Sequence, residues 1–595
     1  MATNGHSNGA TDSFTNYVAY RDPKALGQER IGHLDLEKST IQPLSFQSGA
    51  PISDLYQVIE IGESHIKQSG EVISLSSVEL LAPISGRDVL AVGKNYSEHA
   101  KEFNSSGYDS SDKVDQPTHP VIFTKRATSI IASGEPIFPH QGFTETLDYE
   151  GEIGVIIGKG GFKIQEADAM NHVWGYTIIN DVTARERQRD HKQFYIGKSA
   201  DTFCPMGPIA VPAHKLPKSL GVQTFVNGEK RQESTIDQLI FSVPFLIKTL
   251  SEGQTLQPGD VIATGTPAGV GFGQKPPVFL KPGDVVEVSV TGLGVLRNTI
   301  AEPSAKNQTV PRVSKITHIQ TSNLNKTCGG VGLTSINSKH LYYRHAGNPT
   351  GSPIIFIHGL GGSSEYYTPL VSSLGLEKSY SLHFLDLEGH GLSPTSAAST
   401  VSISSYASDF HALAQHAKIS GATVIAHSMG CFIALTLAIK YPELVSKLVL
   451  IGPPPNPLPE GGQNGSIARA AIVRGSGMAA VVDAVATAGT SARTKAENPL
   501  AIAATRMSLL GQDPEGYAKG CTALAGVAQK LPVQEIKAKT LIVTGDEDKV
   551  SPPQVCENYV GEIKGAELQV LREVGHWHIF EDLKGVAGAV EAFLK

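Results

Sequence analysis

Cysteine is scarce in this sequence of 595 residues, and no CxxC pair occurs. The five cysteines are scattered and odd in number: Cys204, Cys328, Cys431, Cys521 and Cys556. That pattern argues against a disulfide framework and against a cysteine-based zinc site. We therefore expect the protein to work in a reducing compartment.

Long apolar runs and basic runs are also missing. No uninterrupted apolar stretch approaches the roughly 18 residues of a membrane-spanning helix. The N-terminal segment MATNGHSNGATDSFTNY has no signal-peptide core, and residues 1–16 are predicted to form a disordered tail. A net charge of −7 without a Lys/Arg-dense run disfavours nucleic acid as a partner. The sequence thus predicts a cytoplasmic protein with neither membrane nor nucleic-acid partners.

The length indicates more than one domain, because single hydrophobic cores stop growing at roughly 250 to 300 residues. Between Ile300 and Cys328 the chain is polar, carries two prolines and lacks regular periodicity. We therefore predict a first domain over 17–305, a linker over 306–330 and a second domain over 331–595.

The two predicted domains differ in pattern. Before the linker, short β-rich stretches bounded by Gly and Pro dominate, such as GEIGVIIG and VWGYTIIND. After it, strands such as SPIIFIHG and ATVIAH alternate with helical patterns such as CFIALTLAIKY. The first domain is predicted to be β-rich, and the second to be an α/β domain with a mostly parallel, doubly covered sheet.

Carboxylates cluster in the segment LDYEGEIGVIIG. If this segment is one strand, Asp148, Glu150 and Glu152 lie on one face, and Asp181 at the end of WGYTIIND is a candidate third ligand. Crowded carboxylates repel unless a cation neutralises them, and an all-oxygen set favours Mg²⁺, Mn²⁺ or Ca²⁺ over zinc. The alternative is a solvated acidic strand face.

A histidine and a glutamate lie upstream in VGKNYSEHAKE. The segment resembles a turn into a short helix with Asn95 near the cap, so that His99 and Glu102 share one face. A carboxylate that holds one imidazole nitrogen makes the other nitrogen a general base toward water. The alternative is an ordinary surface contact between the two side chains.

Further polar candidates follow Asp181. Arg185 and Gln188 occur in DVTARERQRD, and Lys198 occurs in IGKSADTFCPMGP. The Gly-rich segment ATGTPAGVG contains Thr266, although such a segment can also be an ordinary turn.

Six motifs of the first domain occur in the order seen in the fumarylacetoacetate hydrolase superfamily. They are GKNYSEHAKE, PVIFTK, LDYEGEIGVIIGK, INDVTARERQ, GKSADTFCPMGP and ATGTPAGVG. The chain over roughly 80–300 particularly resembles the acylpyruvase and oxaloacetate decarboxylase branch, whose C-terminal-domain fold is therefore expected. The resemblance implies Mg²⁺ or Mn²⁺ ligands at Glu150, Glu152 and Asp181.

The same resemblance implies roles for the other candidates. His99 and Glu102 become a dyad on a mobile lid, and Lys198, Gln188 and Thr266 become substrate contacts. The expected reaction is hydrolysis of a C–C bond, or decarboxylation, in a 2-oxo or β-dicarbonyl acid. Both reactions share an enolate, which a cation and Lys198 would stabilise. Relatives of this kind commonly form homodimers, so a homodimer through the first domain is expected.

A candidate serine nucleophile occurs in the second domain, in VIAHSMGCFIALTLAI. Ser428 stands between a predicted strand and a predicted helix, as in the G-x-S-x-G elbow, with Ala426 at the first small position. FIHGLGG would supply a backbone N–H from Leu360 to an oxyanion, and Met429 would supply the second.

Acidic and histidine candidates follow in the order expected for α/β-hydrolases. TGDEDKVSPP offers Asp546 and Asp548, and EVGHWHIFED offers His576 and His578; the resemblance to the family patterns G-x-x-D and GH-x-x-x-x-E favours Asp548 and His576. The segment DLEGHGLS corresponds to a family turn in which Glu388 replaces arginine, and we interpret it as structural.

The second domain resembles the 3-oxoadipate enol-lactonases over about 340–595. The similar segments are IFIHGLGGSSEYY, AHSMGCFIALTLAIKYPELVSKLVLIGPP and the cap segment ENPLAIAATRMSLLGQDPEGYAKGCTALAG. This implies an α/β-hydrolase fold with a helical cap that hydrolyses a lactone or ester without a cofactor. A C–C hydrolase acting on a β-diketone remains an alternative, as does a chain in which one domain is only a dimerisation scaffold.

Overall fold

The computed structural model describes residues 14–25, 27–105, 117–304 and 332–595. It divides into two compact units, formed mainly by the residues before 305 and by those after 331. The predicted linker and residues 1–13 of the predicted tail lie outside the described residues. Asn16, within the predicted tail, donates its side-chain amide to the carbonyl of Leu34 and accepts from its backbone N–H. Asn16 therefore belongs to the first unit rather than to a disordered tail.

The described part of the first unit is mostly short strands, as its sequence predicts. These are β1 Tyr17–Asp22, β2 Gln28–Asp35, β3 Thr40–Phe46, β4 Ile66–Gln68, β5 Ile73–Ser74, β6 Glu79–Leu81, β7 Val89–Gly93, β8 Val121–Lys125, β9 Ile130–Ile131, β10 Leu147–Asp148, β11 Gly151–Ile157, β12 Val173–Asn180, β13 Thr183–Ala184, β14 Cys204–Pro205, β15 Val211–Pro212, β16 Gly221–Val226, β17 Glu229–Thr235, β18 Val261–Ala263, β19 Val285–Val290 and β20 Gly294–Thr299. The helices are α1 Leu55–Ile61, α2 Ser97–Ser105, α3 Arg185–Asp190, α4 Tyr195–Lys198 and α5 Val243–Ser251.

One sheet of the first unit organises its polar residues. Its strand order is β15-β12-β11-β18-β7-β8, with β11 antiparallel to both β12 and β18 and with β18 parallel to β7. The start of β11 therefore lies at the same edge as the ends of β12, β18 and β7. A second sheet, β17-β16-β19-β20, alternates buried and half-buried residues along β16 and β19, so one face covers the core.

The predicted strand through LDYEGEIGVIIG is wrong in its extent. Leu147–Asp148 pair with β13, whereas Gly151–Ile157 pair with β12 and β18, so two residues between them belong to neither strand. A methyl group at Gly151 would lie 2.0 Å from Thr224 Oγ1, so the chain crosses between its two partners where only glycine fits. Asp148 consequently departs from the face that Glu150 and Glu152 share.

The second unit has the βα alternation predicted from its sequence. Its strands are β21 Leu333–Ile336, β22 Lys339–Gly347, β23 Ser352–Ile357, β24 Tyr380–Leu385, β25 Ala422–His427, β26 Val445–Ile451, β27 Lys539–Gly545 and β28 Glu567–Leu571. Its α-helices are α6 Thr368–Leu374, α7 Ile403–His416, α8 Met429–Lys440, α9 Glu460–Ser476, α10 Ala479–Gly489, α11 Ala492–Glu497, α12 Pro499–Leu510, α13 Pro514–Ala525, α14 Pro553–Glu562, α15 His578–Glu581 and α16 Leu583–Leu594.

These strands form one eight-stranded sheet in the order β21-β22-β24-β23-β25-β26-β27-β28. Pairing is parallel from β24 to β28 along this order. The carboxyl ends of those strands therefore share one edge, where α/β proteins place their sites. Helices α9 to α13 lie in sequence between β26 and β27 and correspond to the predicted cap. Among the described helices, none combines the length and apolar character needed to cross a membrane.

Two candidate active sites

Three carboxylates meet at the sheet edge of the first unit. Glu150 precedes β11, Glu152 lies within it, and Asp181 follows β12; these positions adjoin because Gly151 pairs with Asn180. Their oxygen atoms can lie within 4.8 Å of one another. The three residues are only 5%, 1% and 0% exposed, which excludes the solvated strand face.

Cationic side chains neutralise two of these carboxylates. Lys198 Nζ lies 2.7 Å from both Glu150 Oε2 and Asp181 Oδ2. Arg185 Nη1 lies 2.7 Å from Glu150 Oε1, and Lys125 Nζ donates to Asp181 Oδ1. Burial alone would raise the pKa of Glu150, but Lys198 and Arg185 lower it to about 2. Glu150 is therefore ionised.

Glu152 has a different environment. Its Oε2 accepts a hydrogen bond from the backbone N–H of Gly265 at 2.8 Å. Burial, together with the charges of Asp181 and Glu150, raises its pKa well above the usual value. A divalent cation between the three carboxylates would remove that repulsion, so this donor set fits a hard cation such as Mg²⁺ or Mn²⁺.

Asp148 lies apart from this trio and holds Arg185. Its Oδ2 accepts from Arg185 Nε at 2.9 Å, and it also accepts from the backbone N–H groups of Gly271 and Phe272. Arg185 is fully buried, yet its Nη2 has no hydrogen-bond partner among the described residues. A buried, unpaired guanidinium nitrogen beside a cavity is suited to an anionic ligand.

The predicted dyad forms on α2. His99 Nδ1 lies 3.3 Å from Glu102 Oε2, and His99 is 5% exposed, which argues against a surface contact. Glu102 also accepts from the backbone N–H of Gly269 at 3.3 Å. Asn95 does not cap the helix; its side chain instead exchanges hydrogen bonds with Phe241 and donates to the carbonyl of Thr264.

The Gly-rich loop after β18 is more than a turn. It donates backbone N–H groups to Glu152 and to the dyad's Glu102. Gly269 has a φ of +104°, and a methyl group there would lie 2.0 Å from the carbonyl oxygen of Arg231, so only glycine fits. Thr266 Oγ1 donates to the carbonyl of Gly151 at 3.0 Å. The loop thus joins the carboxylates to the dyad.

Most predicted residues of the first unit border one cavity that opens to solvent. Those on its wall are His99, Glu150, Arg185, Gln188, Lys198 and Thr266. The cavity therefore brings together the base, one carboxylate and four polar groups that sequence reasoning placed on separate motifs.

Ser428 occupies a sharp turn between β25 and α8. Its φ of +53° and ψ of −124° are unusual for a residue other than glycine, as expected of a nucleophile elbow. Close packing explains the flanking glycines: a methyl group at Gly430 would lie 2.5 Å from the carbonyl oxygen of Ile357, and one at Gly359 would lie 2.9 Å from Ser428 Cβ.

A hydrogen-bonded chain of three side chains starts at this serine. His576 Nε2 lies 2.8 Å from Ser428 Oγ, and His576 Nδ1 lies 2.9 Å from Asp548 Oδ2. Burial opposes ionisation of Asp548, but His576 and His578 hold its pKa well below the usual value. The geometry matches that of a Ser-His-Asp triad.

The alternatives named from the sequence, Asp546 and His578, have other contacts. Asp546 accepts from the backbone N–H of Glu573 at 2.6 Å, which stabilises a turn. His578 Nε2 lies 3.3 Å from Asp548 Oδ2. Of the two histidines, His576 is the one with a hydrogen bond to Ser428.

The proposed oxyanion donors adjoin the serine. Met429 is the first residue of α8, directly after Ser428, and Leu360 directly follows Gly359. The positive end of the helix dipole at α8 adds to the favourable field for an anion.

Sequence reasoning missed two supporting residues. Lys125, which contacts Asp181, ends the quoted motif PVIFTK, and its position at the end of a strand was the available signal. Glu581 accepts from the backbone N–H groups of Gly575 and Trp577 and so fixes the loop that carries His576. The pattern GH-x-x-x-x-E contains this glutamate.

The contacts of Glu388 agree with the structural role predicted for it from the sequence. Its carboxylate pairs with Lys339 at 2.9 Å, and Thr395 donates to it at 2.8 Å. Lys339 also pairs with Asp409 at 2.8 Å. Glu388 therefore belongs to a buried ionic network rather than to the serine site.

Comparisons with known proteins give a separate family match for each of the two units. Residues 88–301 match the family model described as fumarylacetoacetate (FAA) hydrolase C-terminal, and 352–475 match the model of the alpha/beta hydrolase fold. The chain is similar to oxaloacetate tautomerase YisK of Bacillus subtilis, with 48% identity over 231 residues, covering 38% of this chain and 74% of that protein.

Two further similarities fall on the first unit. An uncharacterized Staphylococcus aureus protein, SAUSA300_0871, is 42% identical over 233 residues, covering 39% of this chain and 74% of that protein. The solved structure of fumarylacetoacetate hydrolase from psychrophilic Exiguobacterium antarcticum is 37% identical, covering 48% of this chain and 99% of that chain, with a TM-score of 0.40. Because its first unit aligns with most of a relative at 48% identity, the chain belongs to the fumarylacetoacetate hydrolase family, and it carries a fused α/β-hydrolase domain.

Proposed function

We propose that the chain is a bifunctional enzyme. The first unit carries out cation-dependent chemistry on a small 2-oxo or β-dicarbonyl acid, and the second hydrolyses an ester or lactone through Ser428. The observation that carries the proposal is that each unit holds its own complete set of reactive groups, buried and in mutual contact. These sets are the carboxylate trio with Lys198 and the chain from Ser428 through His576 to Asp548.

Glu150, Glu152 and Asp181 would hold Mg²⁺ or Mn²⁺. When bound, the cation would supply Lewis-acid stabilisation of the negative charge that develops on the oxo oxygen of the substrate. Lys198 and the unpaired Nη2 of Arg185 would bind substrate anions from the cavity wall, and Gln188 and Thr266 would orient the acid.

The substrate class follows from these groups and from the relative. The buried ammonium group of Lys198 and the buried guanidinium group of Arg185 favour an acid with a carboxylate next to an oxo group. The Bacillus subtilis relative is named as an oxaloacetate tautomerase. We therefore add tautomerisation to C–C hydrolysis and decarboxylation as reactions of this site, and oxaloacetate is the first substrate to test.

His99 would move the proton in the first unit. Glu102 fixes the imidazole at Nδ1, which leaves Nε2 to accept a proton from water or from the carbon next to the oxo group. Tautomerisation and C–C hydrolysis both need such a base, whereas decarboxylation needs no water and no proton removal before the C–C bond breaks.

Replacing His99 with alanine should therefore separate these reactions. We expect C–C hydrolysis and tautomerisation to fall by about 10²-fold to 10⁴-fold, with a much smaller loss of decarboxylation. On the same preparation, pyruvate release from acylpyruvates measures C–C hydrolysis, pyruvate release from oxaloacetate measures decarboxylation, and the change in enol absorbance of oxaloacetate measures tautomerisation. The control is the exposed His65→Ala. Equal losses in every reaction would instead assign His99 to lid closure or substrate binding.

In the second unit, Ser428 Oγ would attack the substrate carbonyl while His576 takes its proton and Asp548 orients the imidazole. The backbone N–H groups of Leu360 and Met429 would stabilise the resulting oxyanion. The same groups can also serve C–C hydrolysis of a β-diketone, so that substrate class belongs in the test.

A dimerisation scaffold is a weaker account of the first unit. Burying Glu152 beside two like charges destabilises a protein, and a scaffold has no use for that arrangement. A homodimer through this unit remains compatible with catalysis. We propose that the active protein is a homodimer through the first unit.

The proposal is tested with a substrate panel on the full chain in Mg²⁺ or Mn²⁺. The panel contains oxaloacetate, acylpyruvates, enol-lactones, simple aryl esters and a β-diketone. We expect turnover of at least one 2-oxo acid that requires Glu150, and of at least one ester or lactone that requires Ser428. Turnover confined to one unit would favour the single-enzyme alternative.

A further inference from the structure

Asp548 contacts two imidazoles through the same oxygen. His576 Nδ1 lies 2.9 Å and His578 Nε2 lies 3.3 Å from Oδ2. The other oxygen, Oδ1, accepts from the backbone N–H groups of Val550 and Ser551 at 2.8 and 2.9 Å. Both oxygens of this carboxylate therefore have polar neighbours that restrict its orientation.

His578 is placed for this contact and for no other polar contact among the described residues. It is the first residue of α15, is fully buried, and has no hydrogen bond of standard geometry at either ring nitrogen. A methyl group at Gly452 would lie 2.6 Å from its Cε1, so a glycine leaves room for the ring. A residue that only filled space would avoid the free-energy cost of burying two imidazole nitrogens.

The tautomer follows from the surroundings. His578 Nε2 lies near a carboxylate oxygen, which favours the proton on Nε2, and Nδ1 has no hydrogen-bond partner among the described residues. At 3.3 Å the contact is longer than the one from His576, so the shorter hydrogen bond stays with the histidine that reaches Ser428.

We propose that His578 is a positioning residue of the serine site: its imidazole, with Nε2 3.3 Å from Asp548 Oδ2, holds that oxygen facing His576 Nδ1 through an electrostatic contact. The inference deepens the proposed serine chemistry of the second unit and rests on it. Without His578, Oδ2 would keep only its contact with His576. The carboxylate would then be freer to turn away from His576. The imidazole of His576 would then be held less precisely against Ser428 Oγ.

Two variants separate the polar contact of His578 with Asp548 from the packing of its ring. His578→Leu fills the space without a donor, and His578→Gln places an amide N–H near the position of Nε2. With an aryl ester as substrate we expect His578→Leu to lower kcat by about 10-fold to 100-fold, as loss of a supporting partner does, with KM within about threefold. His578→Gln should recover most of that loss. Circular dichroism and thermal melting confirm that both variants fold.

A spectroscopic measurement gives a readout that does not depend on any substrate. The proton between His576 Nδ1 and Asp548 should appear as a low-field resonance in the proton NMR spectrum of the full chain. We expect its position to change in His578→Leu and to return toward the wild-type position in His578→Gln. An unchanged resonance with wild-type kcat in His578→Leu overturns the proposal. Equal impairment of two well-folded variants also overturns it, because packing would then be the role.

Failure of the proposed function would look different. If an organophosphonate does not label Ser428 and no ester, lactone or β-diketone is hydrolysed, the serine chemistry is wrong. The resonance would still report whether His578 acts on the contact between Asp548 and His576.

Discussion

Replacing Ser428 with alanine is expected to lower kcat for ester or lactone hydrolysis by about 10⁶-fold, because loss of the nucleophile alone removes nearly all of a triad's contribution. The serine oxygen lies 2.8 Å from His576 Nε2 and is the proposed nucleophile at the sharp turn between β25 and α8. Stopped-flow or long-time spectrophotometric assays with an aryl ester measure the residual rate. Turnover of 2-oxo acids by the same preparation should be unaffected, since the first unit does not use Ser428.

The matched control is Ser404→Ala, which removes an exposed hydroxyl on α7 whose contact is with Lys440. This variant should keep wild-type kcat. An organophosphonate should label the wild type and the control but not Ser428→Ala. A residual rate within about tenfold of wild type in Ser428→Ala would mean that another residue is the nucleophile.

Replacing Glu152 with glutamine is expected to remove the first activity, by about 10³-fold or more, because Lewis-acid stabilisation is worth several kcal/mol. Glutamine can still accept from the Gly265 N–H but contributes no negative charge to the cation site. Thermal melting supplies a second readout. For the wild type, a cation at about 100 times its Kd stabilises the folded state by about 2.7 kcal/mol, and the variant should lose most of this stabilisation.

The same substitution also predicts how the thermal stability of the cation-free protein changes. Burial and two neighbouring carboxylates raise the pKa of Glu152, so glutamine relieves repulsion and the cation-free variant should melt no lower than the cation-free wild type. The control is Glu166→Gln, an exposed carboxylate of the same unit. If Mn²⁺ raises the melting temperatures of Glu152→Gln and wild type equally, Glu152 is not a ligand.

Much of the architecture could be predicted because the signals were local. Alternating strands and helices after residue 331 predict a parallel sheet, and the turn at Ser428 follows from small residues between an apolar strand and an apolar helix. The fumarylacetoacetate hydrolase family of the first unit and the α/β-hydrolase fold of the second are confirmed. Site residues that share a motif, such as His99 and Glu102, were found from their spacing on a helix.

What failed depended on contacts between distant segments. The break between β10 and β11 arises because β13 and β12 compete for neighbouring residues, which period-2 alternation cannot reveal. The sequence predicts Asn95 near a helix cap, but it bridges Phe241 and Thr264, which lie 146 and 169 residues away in the chain. The choice of His576 over His578, in contrast, came from the family pattern GH-x-x-x-x-E, and the hydrogen bond from His576 to Ser428 agrees with it.

The most direct test of the central claim, that one chain holds two chemically independent enzymes, is a paired assay under chelation. The full chain is treated with EDTA, metal removal is verified, and turnover of an active 2-oxo acid and of an aryl ester is measured before and after Mg²⁺ or Mn²⁺ is restored. We predict that 2-oxo acid turnover falls to background and returns with the cation, while ester hydrolysis stays within about twofold throughout. Undiminished 2-oxo acid turnover in fully demetallated protein, or loss of ester hydrolysis together with it, would contradict the account.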